Sequence, residues 1–182
     1  MGSIVLSKLK NTKKSDIGYT YTDIHLDIAE QLYTKNGNKL PHGKDIRVSY
    51  DEEAIKNSIV NIFNTSPGER FLIPEFGSNL KTYLFQPVTK FTADILGNQV
   101  LDSIQRWEPR VLVDYVNVIG RPTGAVITKD LGNFSQAIQK YLKTPIQENE
   151  YIINVIIVIP ALKKKTDLEG ILSTGGFTEL RI

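Results

Sequence analysis

The stretch GERFLIPEFGSNL, residues 68–80, is the segment that decides the fold of this 182-residue chain. Glycine and proline punctuate it, charged residues flank its aromatic ones, and the sequence WEPRV follows at residues 107–111. Such punctuation predicts an irregular connection between regular elements. Neither stretch contains a recognised nucleophile motif, a set of metal ligands or a phosphate-binding loop. The combination indicates a surface that docks on other proteins.

A helix is predicted on the N-terminal side of this connection, over residues 51–64, because apolar residues recur there at helical spacing. The apolar stripe consists of Ile55, Ile59, Ile62 and Phe63. Ser49 and Glu52 have the spacing of a capping box at the start of this helix, and the Pro67-Gly68 pair ends it. We expect the stripe to face the core.

A second, longer helix is predicted over residues 89–107, with Thr89 as its N-cap. Pro109 disfavours helical geometry at the residue before it, so the helix should end near Trp107. Gly97 interrupts it and indicates close packing or a slight bend. The residues expected along one side are Phe91, Ile95, Val100, Ile104 and Trp107.

Strands are predicted at residues 110–119, 151–159 and 24–28. The first is read from Val111, Val113 and Tyr115 alternating with Leu112, Asp114 and Val116. The second is apolar on both faces, so both sides of the sheet should be covered. The third alternates as a half-buried strand does, with Ile24, Leu26 and Ile28 on one face.

The predicted fold class is therefore α+β, with two main helices packed on a small antiparallel sheet. We divide the chain into an N-terminal arm with the first strand (residues 1–44), a core domain (45–160) and a C-terminal tail (161–182). The core domain contains an insertion at 120–150, in which residues 133–142 could form a short helix. No internal repeat is present.

Composition narrows the classes of function. The formal net charge of +2, from 22 basic and 20 acidic side chains, does not favour nucleic acid as a partner. The cluster Lys8, Lys10, Lys13 and Lys14 lies in a polar segment that we interpret as a flexible arm. Cysteine is absent, which excludes disulfides and thiolate metal sites. The longest apolar run, residues 151–162, is too short to span a bilayer, so no membrane is implied.

The tripeptide Glu108-Pro109-Arg110 is the first candidate partner-binding site. Proline holds the chain extended, so the acid and the base at i and i+2 project to the same side. They could clamp another chain, since arginine suits bidentate contact with carboxylates. A local ion pair that steadies the junction between helix and strand is the alternative, and spacing alone favours it modestly.

The second candidate site is the aromatic and charged cluster of residues 68–80 together with Trp107. Its candidate partner-binding residues are Glu69, Arg70, Glu75, Phe76 and Trp107. Tyrosine, phenylalanine and arginine are enriched in interface cores. The competing interpretation is that Phe76 and Phe85 simply cap the core, and we expect Phe85 to point inward.

These motifs resemble the baseplate wedge protein family of contractile phage tails, which type VI secretion and other contractile injection machines share in related form. In that family a Gly-Glu-Arg and Pro-Glu-Phe-Gly run precedes a helix that ends in Glu-Pro-Arg. The resemblance covers residues 45–119 and the strand at 151–159; the insertion at 120–150 departs from it.

The resemblance implies a structural subunit of the virion's tail baseplate, made in the host cytoplasm and present in six copies around the tail tube. It implies that Glu108-Pro109-Arg110 grips neighbouring wedge proteins, and that strands of the first tail-sheath ring add to the edge of the sheet. The tail tube or hub remains open as a further partner. A baseplate component of a type VI or other contractile injection system is the alternative.

Relatives of the family have carried a lysozyme label, and Glu69, Glu75 and Glu108 are the candidates for a glycosidase pair. A general acid needs a cleft and a raised pKa, whereas neighbouring arginines favour the ionised form. We therefore predict no enzymatic activity, no metal and no cofactor. A lysozyme-type glycosidase is the least favoured alternative.

Overall fold

A computed structural model describes residues 20–25, 47–127, 135–143, 145–146 and 148–180 of the chain. The helices are α1 (Asp51–Asn64), α2 (Lys90–Trp107) and α3 (Gln136–Leu142). The strands are β1 (Thr22–His25), β2 (Arg47–Tyr50), β3 (Leu112–Arg121), β4 (Glu150–Ile159), β5 (Lys164–Ser173) and β6 (Gly176–Glu179). A 3₁₀ turn, Leu80–Phe85, precedes α2.

The strands form two antiparallel sheets, a β1-β2 pair and a four-stranded sheet in the order β3-β4-β5-β6. Strands β3 and β4 are neighbours along their whole length, with Arg121 opposite Glu150. This mixture of helices and antiparallel sheet agrees with the predicted α+β class.

The inner face of the four-stranded sheet carries the main core. Helices α1 and α2 pack on it, and the predicted stripe of α1 is fully buried there. From the sheet, β4 contributes Tyr151, Ile153, Val155, Ile157 and Ile159. Side chains alternate between the faces of a strand, so these odd-numbered residues share one side.

The outer face carries a smaller apolar cluster under α3. Its buried members are Ile138, Leu142, Ile152 and Ile171. The expectation that β4 is covered on both sides is therefore confirmed, and the insertion supplies the second cover. The short helix predicted at 133–142 begins at Gln136, and residues 133–134 lie outside the described part.

The segment expected as a C-terminal tail instead provides two strands of the sheet, β5 and β6. Gly170 hid this from the sequence, because a glycine weakens a strand pattern. It serves close packing: a Cβ at Gly170 would lie 2.3 Å from the ring of Phe177. That ring in turn meets Phe63 of α1 edge-on, at 5.1 Å between centroids.

The predicted N-terminal cap is present in α2 and absent in α1. The Thr89 side chain accepts a hydrogen bond from the Thr92 amide, which confirms the predicted cap of α2. The capping box predicted for α1 is wrong: Tyr50 is the N-cap and supplies no side-chain bond. Ser49 is buried and accepts from Asn57, while the Glu52 carboxylate bonds Lys164 and Thr166 across the fold.

Two apolar residues expected on a buried face, Phe91 and Ile24, are exposed. In α2, Val100 and Ile104 are buried as predicted, but Phe91 is exposed and the smaller Ala93 and Leu96 take the core positions. Ile24 is exposed; Leu26 and Ile28 lie outside the described residues. In β3 a bulge between Val113 and Tyr115 shifts the register.

The bulge in β3 changes which side chains share a face. Val113 and Val116 both pack on the inner core, whereas simple alternation would have paired Val113 with Tyr115. Tyr115 is instead exposed on the other side. An extra residue in one strand has this effect because it shifts every later side chain by one position.

Among the described helices, none is long and apolar enough to cross a membrane.

Candidate partner-binding site

The motif loop, residues 65–79, closes on itself where its two ends meet. The Ser78 amide donates to the Thr65 carbonyl at 2.9 Å, and the Gly68 amide donates to the Pro74 carbonyl at 2.6 Å. Gly77 has a φ of 111°, and a Cβ there would lie 2.2 Å from the Thr65 carbonyl oxygen. Only glycine fits this approach, which explains the glycine of the Pro-Glu-Phe-Gly run.

The loop docks on the end of α2 through alternating arginine and aromatic side chains. The Arg70 guanidinium lies 3.6 Å from the centroid of the Phe76 ring. Phe76 packs on Trp107 at 5.2 Å between centroids, and Arg106 lies over the Trp107 ring at 4.8 Å. Glu75 completes the row with an exposed ion pair to Arg106. We call these five residues the arginine–aromatic stack; it brings the two sequence motifs together.

The tip of the loop is apolar and exposed. Phe71 and Leu72 are 97% and 89% exposed, and Ile73 follows at 49%. Beside the tip, the Glu69 carboxylate accepts a hydrogen bond from the Ser66 amide and does not pair with Arg70. The expectation that Phe85 points inward is wrong, because that ring is 83% exposed and Leu80 and Leu84 of the same turn are buried instead.

Glu108 and Arg110 bind each other at the junction of α2 and β3. Arg110 Nε and Nη2 donate to the two carboxylate oxygens of Glu108 at 2.5 and 2.7 Å. Glu108 is only 2% exposed. Burial alone would raise its pKa, but the hydrogen bonds from Arg110 and Ser58 outweigh burial, so the pKa of Glu108 is lowered. Arg110 also lies over the Tyr21 ring.

The pair leaves one part of the motif available. Arg110 keeps 27% of its side chain exposed, and its Nη1 has no hydrogen-bond partner among the described residues. Pro109, between them, is exposed. The exposed part of the motif is therefore Pro109 and the outer edge of the Arg110 guanidinium, which Glu108 orients through its two hydrogen bonds.

A family model described as baseplate wedge protein gp25 matches residues 49–144, just over half of the chain. The chain belongs to this family. Its motif loop, the stack, the Glu108–Arg110 pair and α3 all lie within the matched range.

A curated relative of the family is the baseplate wedge protein gp25 of Enterobacteria phage T4. It is 37% identical over 81 residues, which are 44% of this chain and 61% of the phage protein.

Two solved structures are also similar. One, from Geobacter sulfurreducens, is described as a tail lysozyme; it is 20% identical over 72% of this chain and 92% of its own, with a TM-score of 0.47.

The other solved structure is the sixfold-symmetrised baseplate of the anti-feeding prophage. A chain in it is 25% identical over 59% of this chain and 78% of its own, with a TM-score of 0.40. Both TM-scores lie below 0.5, so nothing about function follows from them. The family itself is one of structural baseplate proteins.

The four-stranded sheet has a groove along the free edge of β3, which sequence reasoning missed. The groove has a volume of about 490 Å³ and lies between α2 and residues 113–118. The wall of the groove formed by α2 includes the small residues Ala93 and Gly97. A Cβ on Gly97 would meet Val118 and Val116 only at 3.6 and 3.9 Å. These are ordinary contact distances, so packing does not require a glycine at position 97, and the close packing predicted there is not needed.

The three carboxylates considered for a glycosidase pair are each engaged. Glu69 is held by a backbone amide, Glu75 by Arg106 and Glu108 by Arg110. The pKa of Glu108 is lowered, which is the opposite of what a general acid requires. None of the three lines a cleft described in the structure.

A larger cleft, of about 790 Å³, lies between the start of α1 and the outer part of β5. Its lining residues include Asp51, Glu52, Glu53, Lys56, Lys164, Asp167, Glu169 and Glu179. Burial would raise the pKa of Glu52, but bonds from Lys164 and Thr166 lower it to about 2. Within the described residues, no group of histidine, aspartate and glutamate side chains could hold a metal ion.

Proposed function

We propose that the chain is a structural baseplate wedge subunit on which the first ring of the tail sheath assembles by strand addition to β3. The observation that carries this proposal is the free edge of β3 with the groove beside it. The neighbouring wedge proteins bind at the motif loop and at Arg110. Six such subunits around the tail tube would give the first sheath ring its sixfold arrangement.

The backbone of β3 offers regularly spaced donors and acceptors. Hydrogen bonds in an antiparallel ladder alternate between the two sides of a strand. From the pairing of β3 with β4, the outward-facing amides and carbonyls belong to Val116, Val118 and Gly120, and these have no partner among the described residues. An added strand obtains affinity and register from such groups.

The groove would receive the side chains of the added strand. Its helix wall is formed by Ala93, Gly97 and Leu101, so alternate side chains of an incoming strand would pack on α2 as they pair with β3. The bulge at Asp114, which is paired with Lys165, bends the end of the edge. Bulges and charges limit indiscriminate pairing at sheet edges, so they favour a strand of matching shape.

Val118→Pro tests strand addition, because it removes an outward-facing donor and leaves the ladder with β4 intact. Val118→Ala is the matched control, since it loses more apolar packing but keeps the amide. We expect the proline variant to remain folded and to lose binding of purified sheath subunit at least tenfold, while the alanine variant binds nearly normally. Equal binding by both variants would contradict the edge proposal.

The wedge contact is proposed to use Pro109, Arg110, Glu69 and the exposed tip at 71–73. The Arg110 Nη1 group can donate to a carboxylate or carbonyl of a neighbour, and arginines of this kind are frequent anchors of interfaces. The apolar tip would bury its three side chains against the same neighbour. Phe76, Trp107 and the rest of the stack support the tip from behind.

Leu72→Ser tests the wedge contact without destabilising the fold, because Leu72 is almost fully exposed and the substitution removes no core packing. We expect the variant to unfold at the wild-type urea concentration and to fail to co-assemble with other wedge proteins. A matched exposed substitution away from the tip, Val126→Ser, should assemble normally. Normal assembly of the Leu72 variant would remove the tip from the interface.

A further inference from the structure

Gly97 of α2 lies in the wall of the groove beside β3, and the fold of this chain does not require a glycine there. A Cβ at this position would meet Val118 at 3.6 Å and Val116 at 3.9 Å, which are ordinary van der Waals distances. The residue lies inside a helix of 18 residues, where glycine is the poorest helix former after proline. Alanine would therefore fit the space and stabilise α2. The reason for the glycine lies outside the packing of the chain itself.

Three other glycines differ from Gly97 in this respect. A Cβ at Gly77, Gly120 or Gly170 would lie 2.2, 2.5 or 2.3 Å from the nearest heavy atom of another residue, so packing within the chain excludes a side chain at each of them. Gly97 has no neighbour at such a distance. The space that its missing side chain leaves opens into the groove of about 490 Å³ between α2 and residues 113–118 of β3.

A strand that pairs with the free edge of β3 would fill this space. The outward-facing amides and carbonyls of Val116 and Val118 would set its register. The side chains of these two valines pack on the inner core, towards α2. Residues directly opposite each other on paired strands point to the same face, so the residue opposite Val118 would also point towards α2. Its side chain would lie over Gly97.

Asp94 lies one helical turn before Gly97 in the same wall of the groove. It is exposed, and its carboxylate has no hydrogen bond and no ion pair among the described residues. No lysine or arginine belongs to the described lining of the groove, and Asp114 of β3 is already paired with Lys165. The groove is therefore complementary to a side chain that carries a positive charge.

We propose that the strand added to β3 places a large apolar side chain over Gly97 and a lysine or arginine, two residues away, against Asp94. Asp94 and Gly97 are about 4.5 Å apart along the helix axis, and alternate residues of a strand are about 6.6 Å apart. The long side chain of lysine or arginine covers the difference. Gly97 and Asp94 then determine which strand fits the edge. This inference rests on the proposed strand addition and specifies the chemistry of the strand.

Gly97→Leu tests the space over the glycine, with Gly97→Ala as the smaller change at the same position. Urea unfolding should give both variants a midpoint at least as high as that of the wild type, because each improves helix propensity. In calorimetric titration with purified sheath subunit, we expect Gly97→Leu to weaken binding about tenfold and Gly97→Ala about twofold, according to the volume that each fills. Asp102→Leu is the matched control at an exposed position of α2 outside the groove, and it should bind like the wild type.

Asp94→Asn tests the charge. Loss of an attractive charge at the rim of an interface lowers the association rate and makes that rate less dependent on salt. We expect association with the sheath subunit to be about threefold slower at low salt, and the difference to shrink at high salt. Asp102→Asn removes a carboxylate outside the groove and should leave the rate unchanged. Surface plasmon resonance with immobilised sheath subunit measures these rates.

Three results would overturn the inference. A lower urea midpoint for Gly97→Ala would show that the fold itself needs the glycine. Normal binding by Gly97→Leu would show that no side chain of the strand lies over Gly97, and an unchanged association rate for Asp94→Asn would show that no cation meets Asp94. Failure of the proposed function is a separate result, because Val118→Pro would then bind the sheath subunit as Val118→Ala does, and both proposals would fall.

Discussion

The two faces of the four-stranded sheet are covered by different means. On the inner face, α1 and α2 pack apolar stripes against the odd-numbered residues of β4. On the outer face, α3 has only seven residues, its apolar cluster has four buried members, and buried polar groups hold both of its ends. We call α1 and α2 the inner cover and α3 the outer cover. The buried cluster under the inner cover is apolar, whereas the outer cover depends on charges that must remain paired.

The polar anchors of the outer face are specific. At one end of α3, the Ser135 amide donates to the Glu169 carboxylate, which also accepts from Asn154. At the other end, Arg121 is fully buried and donates to Glu150 at 2.8 Å. The Tyr141 hydroxyl donates to the second oxygen of Glu150. A short helix can be held firmly in this way, but removal of one charge leaves its partner buried and unpaired.

The largest expected effect therefore comes from Arg121→Met. It leaves the buried Glu150 carboxylate without its cation, which should lower the free energy of unfolding by about 3–5 kcal/mol. Urea unfolding followed by circular dichroism measures the loss. Arg121→Met combined with Glu150→Leu is the matched variant and should recover most of it, because no charge then remains buried. If the double variant is no more stable than the single one, the pair is not what holds the outer cover.

The next expected effect compares the faces directly, through two neighbouring isoleucines of β4 that are both fully buried. Ile153→Ala opens a cavity in the large inner core and should cost about 3–4 kcal/mol; Ile152→Ala, under α3, should cost about 2–3 kcal/mol. The smaller outer cluster has more freedom to relax around the loss. Equal costs in urea unfolding would mean that the outer cluster is packed as rigidly as the main core.

The inner cover is also the part that the sequence predicts best. The stripe of α1, the Thr89 cap and the end of α2 at Trp107 all follow from local periodicity and from the positions of proline and glycine. The errors arise where tertiary packing overrides local pattern. Phe91 is larger and more apolar than Ala93, yet Phe91 is exposed and Ala93 is buried.

The outer cover and the candidate site were predicted less completely. Arg121 and Glu150 are 29 residues apart, and no periodic signal connects two charged residues at such a separation. Gly170 interrupts the pattern of β5 and concealed two strands. At the site, the motifs indicated which residues matter, and the structure adds how they meet: Arg70 contacts Phe76 and leaves Glu69 to a backbone amide.

The Glu108–Arg110 ion pair places a buried charge next to the inner core, as the Arg121–Glu150 pair does under α3. Arg110→Ala should cost about 1–3 kcal/mol, because Glu108 is left buried with fewer hydrogen bonds. Arg110→Lys should cost less, since it keeps the charge but not the bidentate contact. Thermal unfolding at pH 7 measures both. An Arg110→Ala variant as stable as the wild type would show that the ion pair does not stabilise the fold.

The smallest expected effect concerns Glu52, which ties the start of α1 to β5 at the border of the inner face. Its pKa is about 2 in the folded chain, against 4.5 for an unperturbed glutamate, so the folded state favours the ionised form. The stabilisation is therefore complete above pH 4.5 and is lost as the pH falls from 4.5 towards 2. Because the carboxylate is partly exposed and solvent screens it, we expect it to contribute about 1 kcal/mol to the free energy of unfolding.

Urea unfolding between pH 3 and pH 7 should show a smaller change of the free energy of unfolding with pH for Glu52→Gln than for the wild type. Glu53→Gln is the matched control on the neighbouring residue. If Glu52→Gln and the wild type lose stability in parallel as the pH falls, the bonds from Lys164 and Thr166 do not stabilise the fold.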